Sequence, residues 1–133
     1  MHYFAYASNL NRKQMAERCP DSKPKFIATL PNYKLIFTGW SRQWQGGVAS
    51  IKPFRGDKVI GAVYEVSETD LKLLDKYEGY PIIYNRLNVI VWTDAGDHVE
   101  AMTYIKIEQS QEAPPSREYL AVIQQGYRDW EIV

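Results

Sequence analysis

A single cysteine, Cys19, occurs in 133 residues. An intramolecular disulfide is therefore excluded, and so is a cysteine-rich zinc site. Histidine is nearly as scarce: His2 and His98 form no H-x-x-x-H ligand spacing, and the carboxylates are scattered without pattern, so no metal is expected. An excess of charge of one sign is missing as well, with 16 Lys and Arg against 16 Asp and Glu. No stretch gathers enough basic residues to make a footprint for a phosphate backbone, which argues against a nucleic-acid partner. No run approaches the ~20 apolar residues that span a bilayer, and no basic segment followed by an apolar one opens the chain, so no membrane partner is expected. The expectation is a cytoplasmic protein with one domain over residues 1–133, long enough to bury roughly two thirds of the surface its unfolded form exposes.

Aromatic residues, by contrast, are plentiful: ten Tyr and four Trp suit strands and also a pocket lined with polar tips. Tyr3-Phe4-Ala5-Tyr6-Ala7 starts the chain as an aromatic, half-buried strand and breaks into Ser8-Asn9. A strand ending in small and polar residues is either followed by an ordinary turn or offers converging backbone N–H groups to a carboxylate or carbonyl oxygen. Asn11 can cap a helix from Arg12 to about Arg18, with Gln14 placed to reach back to the cap's own N–H. Pro20 then ends it. Lys25 to Leu30 and Tyr33 to Thr38 read as two strands of a hairpin joined at Pro31-Asn32, followed by a loop from Gly39 to Gly47. Val48 to Ile51 is a strand that Pro53 ends or confines to an edge, Arg55-Gly56-Asp57 a turn, and Val59 to Val66 a further strand. Ser67 and Asp70 make an S-x-x-D start for a helix that Gly79 terminates. Ile82 to Trp92 and His98 to Ile107 are the longest strand candidates, 109–115 is irregular, and Ser116 caps a last helix through Gln125 with Gly126 beyond it.

One carboxylate sits where local rules would not put it. Leu71 and Leu74 lie seven and four positions before Glu78, so all three share one face of the 68–78 helix. Glu78 thus extends an apolar stripe, and it does so at the C-terminal end, where the helix dipole opposes a negative charge by up to about 1 kcal/mol. Either the side chain swings into water at a frayed end, or it is partly desolvated with the raised pKa that a general base near neutral pH requires. Ser8 has no recognisable His partner, Gly46-Gly47 lack the context of a phosphate loop, and Arg42 and Arg86 are candidates to pair a substrate carboxylate.

Four stretches, in order, resemble the γ-glutamylcyclotransferase family. Tyr3 to Leu10 is similar to its Y-F-A-Y-G-S-N-L segment, and Leu74-Asp75-Lys76-Tyr77-Glu78-Gly79 to the segment carrying its catalytic glutamate. Trp44 to Ile51 resembles W-H-G-G-I-A-T-I, and Ala113 to Tyr119 resembles A-P-P-S-x-x-Y. The resemblance implies an α+β domain, a small mixed β-barrel flanked by short helices, with a pocket at one end. It implies a cofactor-free enzyme that cyclises a small γ-glutamyl compound to 5-oxoproline and releases the attached amine or amino acid. Carried over residue by residue, Glu78 is the proton acceptor; Tyr3, Phe4, Ala5, Tyr6, Ala7 and Ser8 line the substrate site; Tyr119 contacts substrate; and Asn9 and Tyr84 are adjacent candidates. A homodimer is compatible with the resemblance, and composition does not decide it.

Position 7 departs from the family pattern, with Ala for Gly. If the loop needs positive φ there, Ala carries a steric penalty of the order of 1 kcal/mol, and its methyl group also narrows the floor of the pocket. The alternative to an enzyme is therefore a non-catalytic module that binds γ-glutamyl ligands in the same pocket.

Overall fold

A computed structural model of the chain describes residues 1–109 and 111–132. Ser110, within the expected irregular segment, and Val133, at the end of the tail, lie outside them. The elements in chain order are β1 (His2–Ala5), α1 (Arg12–Arg18), β2 (Lys23–Ser41), β3 (Gly46–Glu65), α2 (Glu68–Glu78), β4 (Tyr84–Thr93), β5 (His98–Lys106) and α3 (Arg117–Asp129), with a 3-10 turn over Ser8–Leu10. The strands close into a barrel in the order β1-β3-β2-β4-β5. The sheet is mixed: β1 runs antiparallel to β3 and parallel to β5, where Tyr3 lies opposite Met102. The architecture is the expected α+β barrel with flanking helices.

β1 is buried on both faces rather than half-buried. Successive side chains point oppositely. Phe4 and Tyr6 join Leu30, Ile51, Val63 and Val91 in one core, while Tyr3 and Ala5 join Leu10, Met15, Tyr64 and Leu74 in another. Fully burying a side chain such as Phe4 stabilises by about 1.5–3 kcal/mol, so this short strand anchors both cores. The Thr103 hydroxyl donates to Phe4 O (2.7 Å), tying β5 to it.

The expected Lys25–Thr38 hairpin is instead one strand, β2, and its partner β3 likewise runs through Pro53 and the expected 55–57 turn. The register jumps between Pro31↔Lys58 and Tyr33↔Pro53. The extra residues form a bulge in which Asn32 (φ 63°) accepts a hydrogen bond from Gly56 N at 3.1 Å. Turn-forming residues thus bend two paired strands together without reversing either. The true reversal lies between Ser41 and Gly46, inside the expected loop.

Helix starts follow the local signals. The Asn11 side chain accepts from Gln14 N, Ser67 and Asp70 form a reciprocal capping box, and Ser116 accepts from Tyr119 N. Gln14, however, does not reach back to the cap; its amide donates to Ser8 Oγ (2.9 Å) and Asn9 Oδ1 (3.1 Å). The last helix continues through Gly126 to Asp129, past the expected end. A Cβ at Gly126 would meet Asn11 N at 2.6 Å and Leu10 C at 2.7 Å. Glycine is there for close approach of α3 to the 3-10 turn, not to stop the helix. Beyond it, buried Trp130 donates its indole N–H to Leu10 O at 2.9 Å.

Candidate functional site

The end of β1 forms the floor of a cavity of about 260 Å³. Tyr3, Tyr6, Ala7, Ser8 and Asn9 line it, whereas Phe4 and Ala5 do not, because their side chains belong to the two cores. The Ser8 and Asn9 amides open the 3-10 turn and have no acceptor within it. Those of Leu10 and Asn11 are used on Ala7 O and Ser8 O, both at 3.0 Å. Side chains hold this corner from below. Asn9 Nδ2 donates to the Tyr3 hydroxyl (3.0 Å), and Asn9 Oδ1 accepts from Gln14 and from Arg18 Nη1 (3.2 Å). Ala7 has φ −140°, so the left-handed conformation that would penalise its methyl group is not adopted.

Glu78 enters from the last residue of α2. Fully buried Leu74 fixes the inward face of that helix, and Gly79, at φ 71°, turns the chain away immediately afterwards. Glu78 is half-buried and lines the cavity. Among the described residues its carboxylate makes no hydrogen bond or ion pair. Burial pushes its pKa up from 4.5 to about 7, against the opposing pull of the Arg18 guanidinium. Arg18 is itself held over the Tyr77 ring at 4.6 Å and by Asn9. A half-buried, unpartnered carboxylate at this pKa can exchange a proton with a ligand near neutrality.

The opposite wall is aromatic and rigid. Ala49 donates its N–H to the Tyr119 hydroxyl (3.0 Å) and accepts from the Tyr84 hydroxyl (2.6 Å), so one residue of β3 fixes two phenols. Trp44 packs on Tyr119 at 4.8 Å between centroids. Burial raises the Tyr119 hydroxyl to about 12 and those of Tyr3, Tyr6 and Tyr84 well above the ordinary tyrosine value, so all four are neutral phenols at physiological pH. Tyr6 donates to Tyr104 O at 2.8 Å.

Trp40 to Trp44, from the loop expected between Gly39 and Gly47, line the cavity too, together with residues that sequence reasoning did not single out as site residues, among them Arg18, Tyr77, Ile83 and Lys106. The contacts that bring Arg18 and Lys106 in are tertiary, and no local pattern announces them. Of the two arginine candidates, Arg42 lines the cavity, while Arg86 is ion-paired with Asp75 and stacks on Tyr80. No histidine lines the cavity, so Ser8 has no base partner of that kind there. Gly46 and Gly47 pack closely on the 113–116 backbone, with Gly47 N donating to Pro114 O at 3.0 Å. Cys19 is buried, with its thiol pushed up to about 12 by that burial, so it is not a nucleophile near neutral pH. Among the described residues, no cluster of His, Cys, Asp and Glu is arranged to hold a metal.

Known proteins resemble this chain in sequence and in fold. The chain is 33% identical to a bovine "Gamma-glutamylcyclotransferase" over 132 residues, covering 96% of this chain and 70% of that one. The protein of the same name from Homo sapiens gives the same identity and coverage. A solved structure named "Gamma-glutamyl cyclotransferase" superposes with a TM-score of 0.92 at 31% identity, covering 98% of this chain and 79% of the other. A family model described as "Gamma-glutamyl cyclotransferase, AIG2-like" matches residues 3–129. With nearly the whole chain matched in sequence and in fold, this protein belongs to the gamma-glutamyl cyclotransferase, AIG2-like family.

Proposed function

We propose that the cavity cyclises a γ-glutamyl amino acid or amine to 5-oxoproline and releases the attached amine, with Glu78 carrying the proton. The observation that carries this reading is the Glu78 carboxylate, half-buried beside the Ala7–Asn9 turn, unpartnered, and with its pKa raised to about 7. The substrate holds its own nucleophile. Its α-amine attacks its own γ-carbonyl, so the site must mainly enforce a five-membered-ring geometry, and tethered reactions of this kind gain up to about 7–11 kcal/mol from proximity.

At neutral pH the α-amine is protonated and cannot attack. Ionised Glu78 takes a proton from it, the new C–N bond forms, and the carbonyl oxygen gains negative charge. When the original C–N bond breaks, protonated Glu78 gives its proton to the departing nitrogen, then takes the second proton from the ring nitrogen, which ends as the lactam N–H, and passes it to the released amine, which leaves as its ammonium. Protons balance over the cycle, and neither water nor a cofactor is consumed. The Ser8 and Asn9 amides are the candidate receptor for the α-carboxylate or the developing oxyanion; an oxyanion donor contributes about 2.7–4 kcal/mol in enzymes where one has been removed. Tyr3, Tyr6, Tyr84 and Tyr119 supply neutral walls that exclude water. Phe4 and Ala5 act through the backbone they fix.

The binding-only alternative rests on Ala at position 7: φ −140° excludes the positive-φ penalty, while the Ala7 methyl group lines the cavity. We place the reaction on a free small molecule in the cytoplasm, supported by balanced charge and by the lack, among the described residues, of a helix long and apolar enough to cross a membrane. The test is a panel of γ-glutamyl compounds assayed for 5-oxoproline. Glu78→Gln is expected to lower kcat/KM by about 10²–10⁴-fold. Equal turnover by that variant would sink the mechanism.

A further inference from the structure

We infer that Gln14, which does not line the cavity, is a positioning residue: together with Arg18 and Asn9 it fixes the Ser8 and Tyr3 hydroxyls as hydrogen-bond donors facing the substrate. The inference rests on the proposed cyclisation and concerns how the floor of that site is made to receive an oxygen bearing negative charge.

Arg18 decides the sense of every side-chain bond in this corner, because a guanidinium can only donate. Its Nη1 lies 3.2 Å from one terminal atom of Asn9, so that atom is the amide oxygen. The other is then Nδ2, which donates to the Tyr3 hydroxyl at 3.0 Å. The same Asn9 oxygen stands 3.1 Å from a terminal atom of Gln14, which must be the amide nitrogen. That nitrogen also lies 2.9 Å from Ser8 Oγ and donates to it. Each hydroxyl is thus met by a donor, and its own proton has to turn elsewhere. Among the described residues neither proton has an acceptor. Ser8 and Tyr3 are buried and line the cavity, so the cavity is the direction left open.

Gln14 and Arg18 are four residues apart on α1, so both project from one face of that helix. Asn11 holds the helix in place, accepting from Gln14 N at 3.0 Å and donating to Val122 O at 3.3 Å. Two other phenols have the opposite sense. Tyr6 donates its proton to Tyr104 O and Tyr84 to Ala49 O, which leaves them only lone pairs to offer. Arg42 and Lys106 also line the cavity, but cations donate in any orientation; only hydroxyls need their sense fixed. The floor therefore gathers the Ser8 and Asn9 amides and two hydroxyl donors. Such a floor suits a carboxylate or a carbonyl oxygen gaining charge, and it leaves the α-ammonium, which has only protons to offer, to Glu78.

Two substitutions separate orientation from packing. Gln14→Met removes the amide without adding charge. Gln14→Glu keeps the shape and reverses the sense, since a carboxylate only accepts and draws the Ser8 proton away from the cavity. Each is assayed for 5-oxoproline from γ-glutamyl-alanine and γ-glutamyl-butylamine, alone and in a Ser8→Ala background. Ser8→Ala is expected to lower kcat/KM about tenfold, the scale of one hydrogen bond to a charged group. Gln14→Glu should lose at least as much, and Gln14→Met about threefold. In the Ser8→Ala background Gln14→Met should cost nothing further, and Gln14→Glu should cost less than it does alone. A loss in KM assigns the hydroxyl to the α-carboxylate and a loss in kcat to the oxyanion; either upholds the role. Parental kinetics in both Gln14 variants overturn it and leave the cyclisation standing. A Gln14→Met loss that persists undiminished without the Ser8 hydroxyl overturns it too, by making Gln14 a packing residue. No 5-oxoproline from either compound with the parent overturns both readings.

Discussion

Removing the Glu78 charge should stabilise the protein while abolishing its proposed chemistry, and the size of the gain should depend on pH. The folded chain holds the Glu78 proton up to about pH 7, whereas an unfolded chain releases it near 4.5. Between those values the folded state binds more protons than the unfolded one, so stability falls as pH rises through the window. Below it, both states carry the proton and the full stability is present. Above it, both have lost it and the cost of a desolvated carboxylate is complete. Integrated over the window from 4.5 to about 7, that cost is roughly 3 kcal/mol. Glu78→Gln keeps the shape and removes the ionisation. Urea unfolding of parent and variant from pH 4.5 to 8.5 should therefore give a difference that grows across the window and levels off above it. At pH 8 the variant should be the more stable by up to ~3 kcal/mol, a midpoint shift of about 1 M or more for ordinary urea slopes. A pH-independent difference, or a less stable variant at pH 8, would refute the idea that Glu78 sits desolvated in the folded state.

Other consequences follow from neighbouring contacts. kcat/KM should rise with pH through about 7 as Glu78 ionises, and Arg18→Leu should move that limb to higher pH because the guanidinium opposes the raised pKa; pH–rate profiles of both proteins check this. Gly126→Ala should cost about 1–3 kcal/mol by thermal or urea unfolding, since its methyl group has no room against Leu10 and Asn11. Ala7→Gly should bring no gain in turnover, because φ at position 7 is already accessible to alanine, and should lower stability by about 0.4–1 kcal/mol through the freer unfolded chain. A large rise in 5-oxoproline production by that variant would show that the methyl group obstructs the site.

Short-range relations in the chain were sufficient for several features. Asn11 before α1, Ser67 with Asp70 before α2 and Ser116 before α3 bind amides three residues away, so the sequence alone marks those helix starts. The misplaced charge of Glu78 was legible for the same reason: helical spacing relates it to Leu74, and Gly79 sets where the helix ends. The strand reading failed where turn residues act as a bulge. Asn32 and Gly56 look like reversals individually and become a single bend only when β2 and β3 pair across them. Gly126 reads as a helix terminator until Leu10, more than a hundred residues earlier, is packed against it. Arg18 and Lys106 reach the cavity through α1 and β5, by bonds to Asn9 and Thr38 that no local spacing encodes. The sequence by itself therefore determined the helix starts, the family motifs and the out-of-place carboxylate, because each is expressed over a few residues. Closure of the barrel decided what that carboxylate faces and which cations stand around it, since those neighbours meet only after strands far apart in sequence have paired.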